Sequence, residues 1–195
     1  MERTSVLGAT GDPPSDAAGD EVLALSAATD RHAFEVLYLR HRRDLFRYVR
    51  ARTTDEETAT DIVSATFERA LSAIDGYRSS GGGFRAWIFR IARNQVVDAS
   101  RRRRTADRHA PTLLAWSTEQ AGPEHDLLAE ESINHLRDLV SRLPDAQREA
   151  ILLRYAGGLT TREIAATMGR SEAAVQKLIT RTLAALKETY GAIDG

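Results

Sequence analysis

The stretch from Thr160 to Leu183 leaves the chain little choice of local fold. Thr160-Thr161-Arg162-Glu163 has the form of a capping box. In that motif the threonine hydroxyl and the glutamate each satisfy a backbone amide that the first helical turn leaves free. Gly169 then supplies the backbone freedom of a turn, and Ser171 offers a second cap. Two helices are therefore expected in close succession, over residues 162–168 and 172–190. Ile164 and Ala165 on the first, with Val175 and Ile179 on the second, are spaced to form a small shared core. That core holds the pair at a steep angle, as in a helix-turn-helix.

The rest of the chain carries the same helical signals. A short helix is expected over residues 21–28. The next, over 30–52, repeats Phe34, Leu37, Tyr38, Leu45, Tyr48 and Val49 at steps of three and four. Thr54 and Glu57 form another capping-box pattern before a helix that buries Ala59, Ile62, Val63, Thr66, Phe67 and Leu71. Gly76 and the run Gly81-Gly82-Gly83 bracket a loop around Tyr77 and Arg78. A long helix follows over 84–104, with Phe84, Trp87, Ile88, Ile91 and Val96 on its apolar side. Further helices are expected over 130–143, stopped by Pro144, and over 146–155, ended by Gly157-Gly158. No period-two run long enough for a strand appears, so the expected class is all-α. Two small helical domains, 20–104 and 130–190, should be joined by a flexible acidic linker over 105–129, with a disordered tail over 1–19.

Composition narrows the chemistry. The chain has no cysteine, which excludes disulfides, thiolate metal sites and a cysteine nucleophile. Its five histidines show no metal-ligand spacing, and neither a phosphate-binding glycine loop nor a nucleophile elbow is present. No cofactor is expected. Without a signal peptide or an apolar run of ~18 residues, a soluble cytoplasmic protein is expected. The net charge of −1 conceals strong alternation. Residues 31–52 and 84–104 carry surpluses of five and six positive charges, whereas 1–30, 55–75 and 105–131 each carry five negative ones. Such blocks point to separate surfaces with separate partners.

Two basic helices carry the functional expectation. The second helix of the helix-turn-helix would present Gln176, Lys177, Thr180 and Arg181 to a DNA major groove. The helix over 84–104 bears seven arginines whose face can track a phosphate backbone. Tyr77, in its glycine-rich loop, is a candidate for stacking on an unpaired base, while Trp87 falls on the apolar stripe. A dimeric repressor would explain residues 130–190 but leave 31–104 without a purpose. A recombinase would need a catalytic cluster that the sequence lacks, and a third alternative is an adaptor that binds only protein.

In this order and spacing, three tracts resemble the extracytoplasmic-function group of bacterial RNA polymerase sigma factors. They are DIVSATFERAL (61–71), FRAWIFRIARNQVVDASRRRR (84–104) and LPDAQREAILLRYAGGLTTREIAATMGRSEAAVQKLITRTLAALK (143–187). The resemblance implies core RNA polymerase, promoter DNA and an anti-sigma factor as partners. It places Asp61, Ser64 and Ala65 on the polymerase clamp helices, and the opening helices of the second domain on the flap tip. Tyr77, Arg78, Arg93, Asn94 and Arg101 to Arg104 (Arg101, Arg102, Arg103, Arg104) would meet the minus-ten element. Arg170, Ser171, Gln176, Lys177, Thr180 and Arg181 would meet the minus-thirty-five element. Ser64 and Ala65 stand where the family commonly has Gln and Glu. Leu178 and Leu183 stand where it often has Arg, which implies weaker phosphate anchoring.

Overall fold

A computed structural model describes residues 17–79, 81–106 and 127–191. Most of the expected linker, the start of the expected tail and Arg104's side chain lie outside the described residues. The described chain forms eight α-helices and no strand: α1 Ala17–Ser26, α2 Arg31–Arg50, α3 Glu56–Ala73, α4 Gly83–Ala106, α5 Leu127–Arg142, α6 Asp145–Tyr155, α7 Thr161–Met168 and α8 Glu172–Gly191. A single 3-10 turn, Ile74–Gly76, follows α3.

The caps explain most of these boundaries. Asp30 begins α2 by accepting a hydrogen bond from the His32 amide. At α7 both halves of the Thr160–Glu163 capping box form. Gly169 then closes that helix in the left-handed region at φ 65°, a conformation that penalises residues with a Cβ. The start of α3 differs from expectation. Asp55, not Thr54, is its cap, accepting from the Thr58 amide at 2.7 Å. A carboxylate accepts this bond more strongly than a hydroxyl does, and those bonds hold Asp55 below the usual carboxylate range. Thr54 instead donates to Asp55 at 2.9 Å and accepts from Arg103 at 2.7 Å.

Helices α1 to α4 enclose one apolar centre. Leu37, Leu45, Tyr48, Phe84 and Ile88 are almost wholly removed from water, each contributing about 1.5–3 kcal/mol. Tyr38 and Leu71, expected inside, remain exposed, with Tyr38's ring edge-on to Phe67 at 4.7 Å. The second centre, in α6 to α8, contains Ile151, Leu152, Leu159, Ile164, Val175 and Ile179.

The two units do not stand apart. Helix α4 lies along α7, and the apolar centres run together into one buried cluster. Small residues let the backbones meet. A Cβ at Gly82 would come within 2.6 Å of Ala166 Cβ, and one at Gly157 within 2.7 Å of the Phe89 ring. Gly82, expected in an open loop, is therefore part of a close crossing.

Candidate nucleic-acid interface

The helix-turn-helix is assembled as its sequence demands. Ile164, Ala165, Val175 and Ile179 are all buried between α7 and α8. With that side of α8 turned inward, Gln176, Lys177, Thr180 and Arg181 face solvent, as do Arg170 and Ser171 at its start. Ser171 Oγ accepts from the Ala174 amide at 3.3 Å, so the serine is committed to the helix start. Gln176 Oε1 accepts from the Thr161 hydroxyl at 3.3 Å, which ties α8 to the start of α7. Leu178 and Leu183 are partly buried against the core, so neither presents a polar group outward.

On α4 the apolar side comprises Phe84, Ile88, Phe89, Ala92 and Val96. Phe89 is completely buried and was not expected, because its contacts come from Tyr48 on α2 and from Gly157. Asn94, Arg101 and Arg102 are exposed, while Arg93 and Arg103 are half-buried. Arg103 reaches back to Thr54, bracing the far end of α4 on the α2–α3 connection.

Tyr77 lies elsewhere than a stacking role suggests. Only 3% exposed, it packs against Phe84 and Trp87 with ring centres at 6.0 and 5.1 Å. Its hydroxyl donates to the Glu21 carboxylate of α1 at 2.9 Å. Burial, then the adjacent carboxylate, pushes this phenol far above its usual range. Arg78 remains exposed and donates to the Tyr77 carbonyl at 2.8 Å. On α3, Asp61 and Ser64 are exposed and Ala65 is half-exposed, all on one face as their spacing requires.

The junction between the units is polar at its edges. Glu149 of α6 is buried, accepts from the Tyr48 hydroxyl at 2.6 Å, and pairs with Arg52. Arg93 Nε stands 3.7 Å from the same carboxylate. Arg85 bridges Asp44 at 2.6 Å and the Gly157 carbonyl at 2.7 Å. Arg90 donates to the Ala166 carbonyl at 2.9 Å, and Arg162 to that of Gly81. A signal for Glu149 was present: it sits three residues before Leu152, on the apolar side of α6. A carboxylate in that register needs a cationic partner from elsewhere.

Two helical units, one with an arginine-rich helix and the other with a helix-turn-helix, define a two-part helical DNA-binding protein. Residues 37–106 match Sigma-70 region 2, and residues 133–186 match Sigma-70, region 4. The chain is 36% identical over 171 residues to the ECF RNA polymerase sigma factor BldN of Streptomyces coelicolor, spanning 85% of this chain and 64% of BldN. It is 33% identical over 174 residues to the ECF RNA polymerase sigma factor SigD of Mycobacterium tuberculosis, spanning 87% and 82% of the two chains. The solved structure of CnrH in complex with the cytosolic domain of CnrY is similar at a TM-score of 0.66 and 28% identity, over 89% of this chain and 98% of that one. The chain belongs to the ECF group of sigma-70 RNA polymerase sigma factors. Among the described residues no helix is long and apolar enough to cross a membrane.

Proposed function

We propose that this chain binds core RNA polymerase, directs it to promoters with minus-ten and minus-thirty-five elements, and helps open the DNA to begin transcription. The observation that carries this is the pairing, on one chain, of a region 2 match with a region 4 match whose helix-turn-helix exposes Gln176, Lys177, Thr180 and Arg181. Asp61, Ser64 and Ala65 of α3 are assigned to the polymerase clamp. Arg78, Arg93, Asn94 and Arg101 to Arg104 are assigned to the minus-ten element. Tyr77 joins that set only if α1 releases its hydroxyl, since Glu21 holds it in the core. Arg170, Ser171, Gln176, Lys177, Thr180 and Arg181 are assigned to the minus-thirty-five element.

The close crossing of α4 and α7 adds a requirement: the units must part before the covered side of α4 meets DNA. CnrH is solved with the cytosolic domain of CnrY, and an anti-sigma partner belongs to the same proposal. The site of action is the cytoplasm, where polymerase and promoter meet. Catalysis is the polymerase's, so no cofactor or catalytic residue is assigned to this chain.

Run-off transcription with purified core polymerase tests the proposal. Defined start sites should appear only when this chain is added. Tight binding of a palindromic site by the chain alone, as a dimer, would replace this reading with that of a repressor.

A further inference from the structure

Helix α1 meets the rest of its unit through two neighbouring acids. Asp20, only 4% exposed, accepts from Arg40 at 3.0 Å and stands 2.8 Å from His41 Nε2. Burial works against its charge, yet the His41 and Arg40 contacts hold it below the usual carboxylate range. Glu21 accepts from the Tyr77 hydroxyl, its two oxygens lying 2.9 and 3.0 Å away. The Phe84 ring joins the two contacts, with its centre 5.6 Å from that of His41 and 6.0 Å from that of Tyr77. The apolar share of this docking is small. Among the described side chains of α1 only Ala24 is a buried apolar one, Leu23 is half-buried, and Val22 and Leu25 are left in water.

Tyr77 in turn shapes the loop before α4. Its amide donates to the Ile74 carbonyl at 2.9 Å, closing the 3-10 turn. Its carbonyl accepts from the Arg78 guanidinium at 2.8 Å, and the Asp75 carbonyl accepts from the same group at 3.3 Å. The place of the Tyr77 backbone therefore decides where Arg78 is presented. At the start of α4, Gly83 leaves room for Glu21, since a Cβ there would stand 3.3 Å from its carboxylate. A ring covered by Phe84 and Trp87 has no open face for a base, and a buried hydroxyl needs the acceptor that Glu21 supplies.

We propose that Glu21, itself fixed through Asp20, is a positioning residue for the minus-ten loop: it anchors Tyr77 in the core, and Tyr77 acts by setting Arg78, not by stacking on a base. The consequence for promoters rests on the role proposed above for Arg78. The anchoring does not.

Two measurements on the full chain test this. Trypsin cleavage after Arg78, followed by mass spectrometry, reports how often the loop opens, because cleavage tracks the population of the open form. Tyr77→Phe and Glu21→Ala should each speed it about 10- to 100-fold, the loss of a hydrogen bond to a charged group. The two together should be no faster than either alone, and Glu21→Gln, which keeps an acceptor, should recover most of the protection. Glu35→Gln, at an exposed carboxylate of α2, should change nothing. Additive effects, or wild-type protection in Glu21→Ala, would overturn the proposal. Tyr77→Phe removes one oxygen and leaves the packing, so it decides the matter if Glu21→Ala loses its far-UV helical signal.

The second measurement is promoter opening with core polymerase, read by permanganate footprinting. Tyr77→Phe keeps the ring, so a stacking role would leave opening at the wild-type level. An equal fall for Tyr77→Phe and Glu21→Ala is expected instead, and wild-type opening by both would overturn the proposal. A wild-type chain that opens no promoter would sink the promoter reading, while the cleavage rates would still decide the anchor.

Discussion

Replacing Glu149 with Gln should loosen the junction without altering its shape. Gln still accepts the Tyr48 hydroxyl at Oε1 but no longer neutralises Arg52. Removing one member of a buried ion pair costs ~3–5 kcal/mol. Here the Arg52 and Arg93 side chains keep 15% and 35% of their exposure, so water recovers part of that. About 2–4 kcal/mol remains, which shifts the balance between closed and parted units by ~30- to 700-fold. The absence of native cysteine allows a clean assay. Ser72→Cys on α3 and Lys187→Cys on α8, both exposed, accept a donor and an acceptor dye for single-molecule energy transfer. Glu149→Gln should move molecules into a low-transfer population, while each unit keeps its helical signal. Adding Arg52→Gln should restore part of the closed population, because the orphaned cation goes with its partner. An unchanged transfer distribution, or a lowered melting temperature with no change in transfer, would refute the argument. The junction would then be inseparable from the fold itself.

Other outcomes follow from single sites. Gln176→Ala should relax base preference at the minus-thirty-five element by ~1–3 kcal/mol if it makes a paired contact, measured by binding to single-base promoter variants. Arg181→Ala should weaken all variants alike and flatten the log–log salt slope by about 0.9. Thr160→Ala removes one half of the α7 capping box and should cost about 1 kcal/mol in denaturant titration. Tyr48 and Tyr77 are both pushed up by burial and a neighbouring carboxylate. The folded chain therefore keeps protons that the unfolded chain loses near pH ~10. Their contribution is complete below that pH and declines as alkali rises above it. Unfolding titrations should show this decline, and Tyr77→Phe should reduce it.

Local signals made the helices legible, and the reasons are visible in particular residues. Ile164, Val175 and Ile179 obey helical spacing, and the Thr160 box and Gly169 are complete within a few residues. Contacts between distant elements left weaker traces. Tyr77 looked available because its loop is rich in glycine, yet its partner Glu21 lies 56 residues earlier. Phe89 falls beside the expected stripe of α4 and is buried by the neighbouring unit as well as its own. Asp55 was passed over because Thr54 and Glu57 imitate a cap one residue too soon. The candidate DNA positions on α8 could be read because burial of one helix side dictates exposure of the other. On α4 the same rule leaves Asn94, Arg101 and Arg102 exposed, whereas Arg93 turns partly inward beside Glu149 of the other unit.

Phe89 also sets a threshold. Its ring is sealed by Gly157, a residue with no side chain to follow it when the units separate. Parting them leaves an aromatic face in water, at a cost within the ~1.5–3 kcal/mol of a buried apolar side chain. On the proposed function, an encounter with DNA that supplied less than this cost plus that of the polar edge contacts would leave the closed form favoured. Only a partner that grips both units together, or offers Phe89 another apolar seat, can hold it open. The junction would then act as a filter against isolated contacts, passing engagements that arrive as a set.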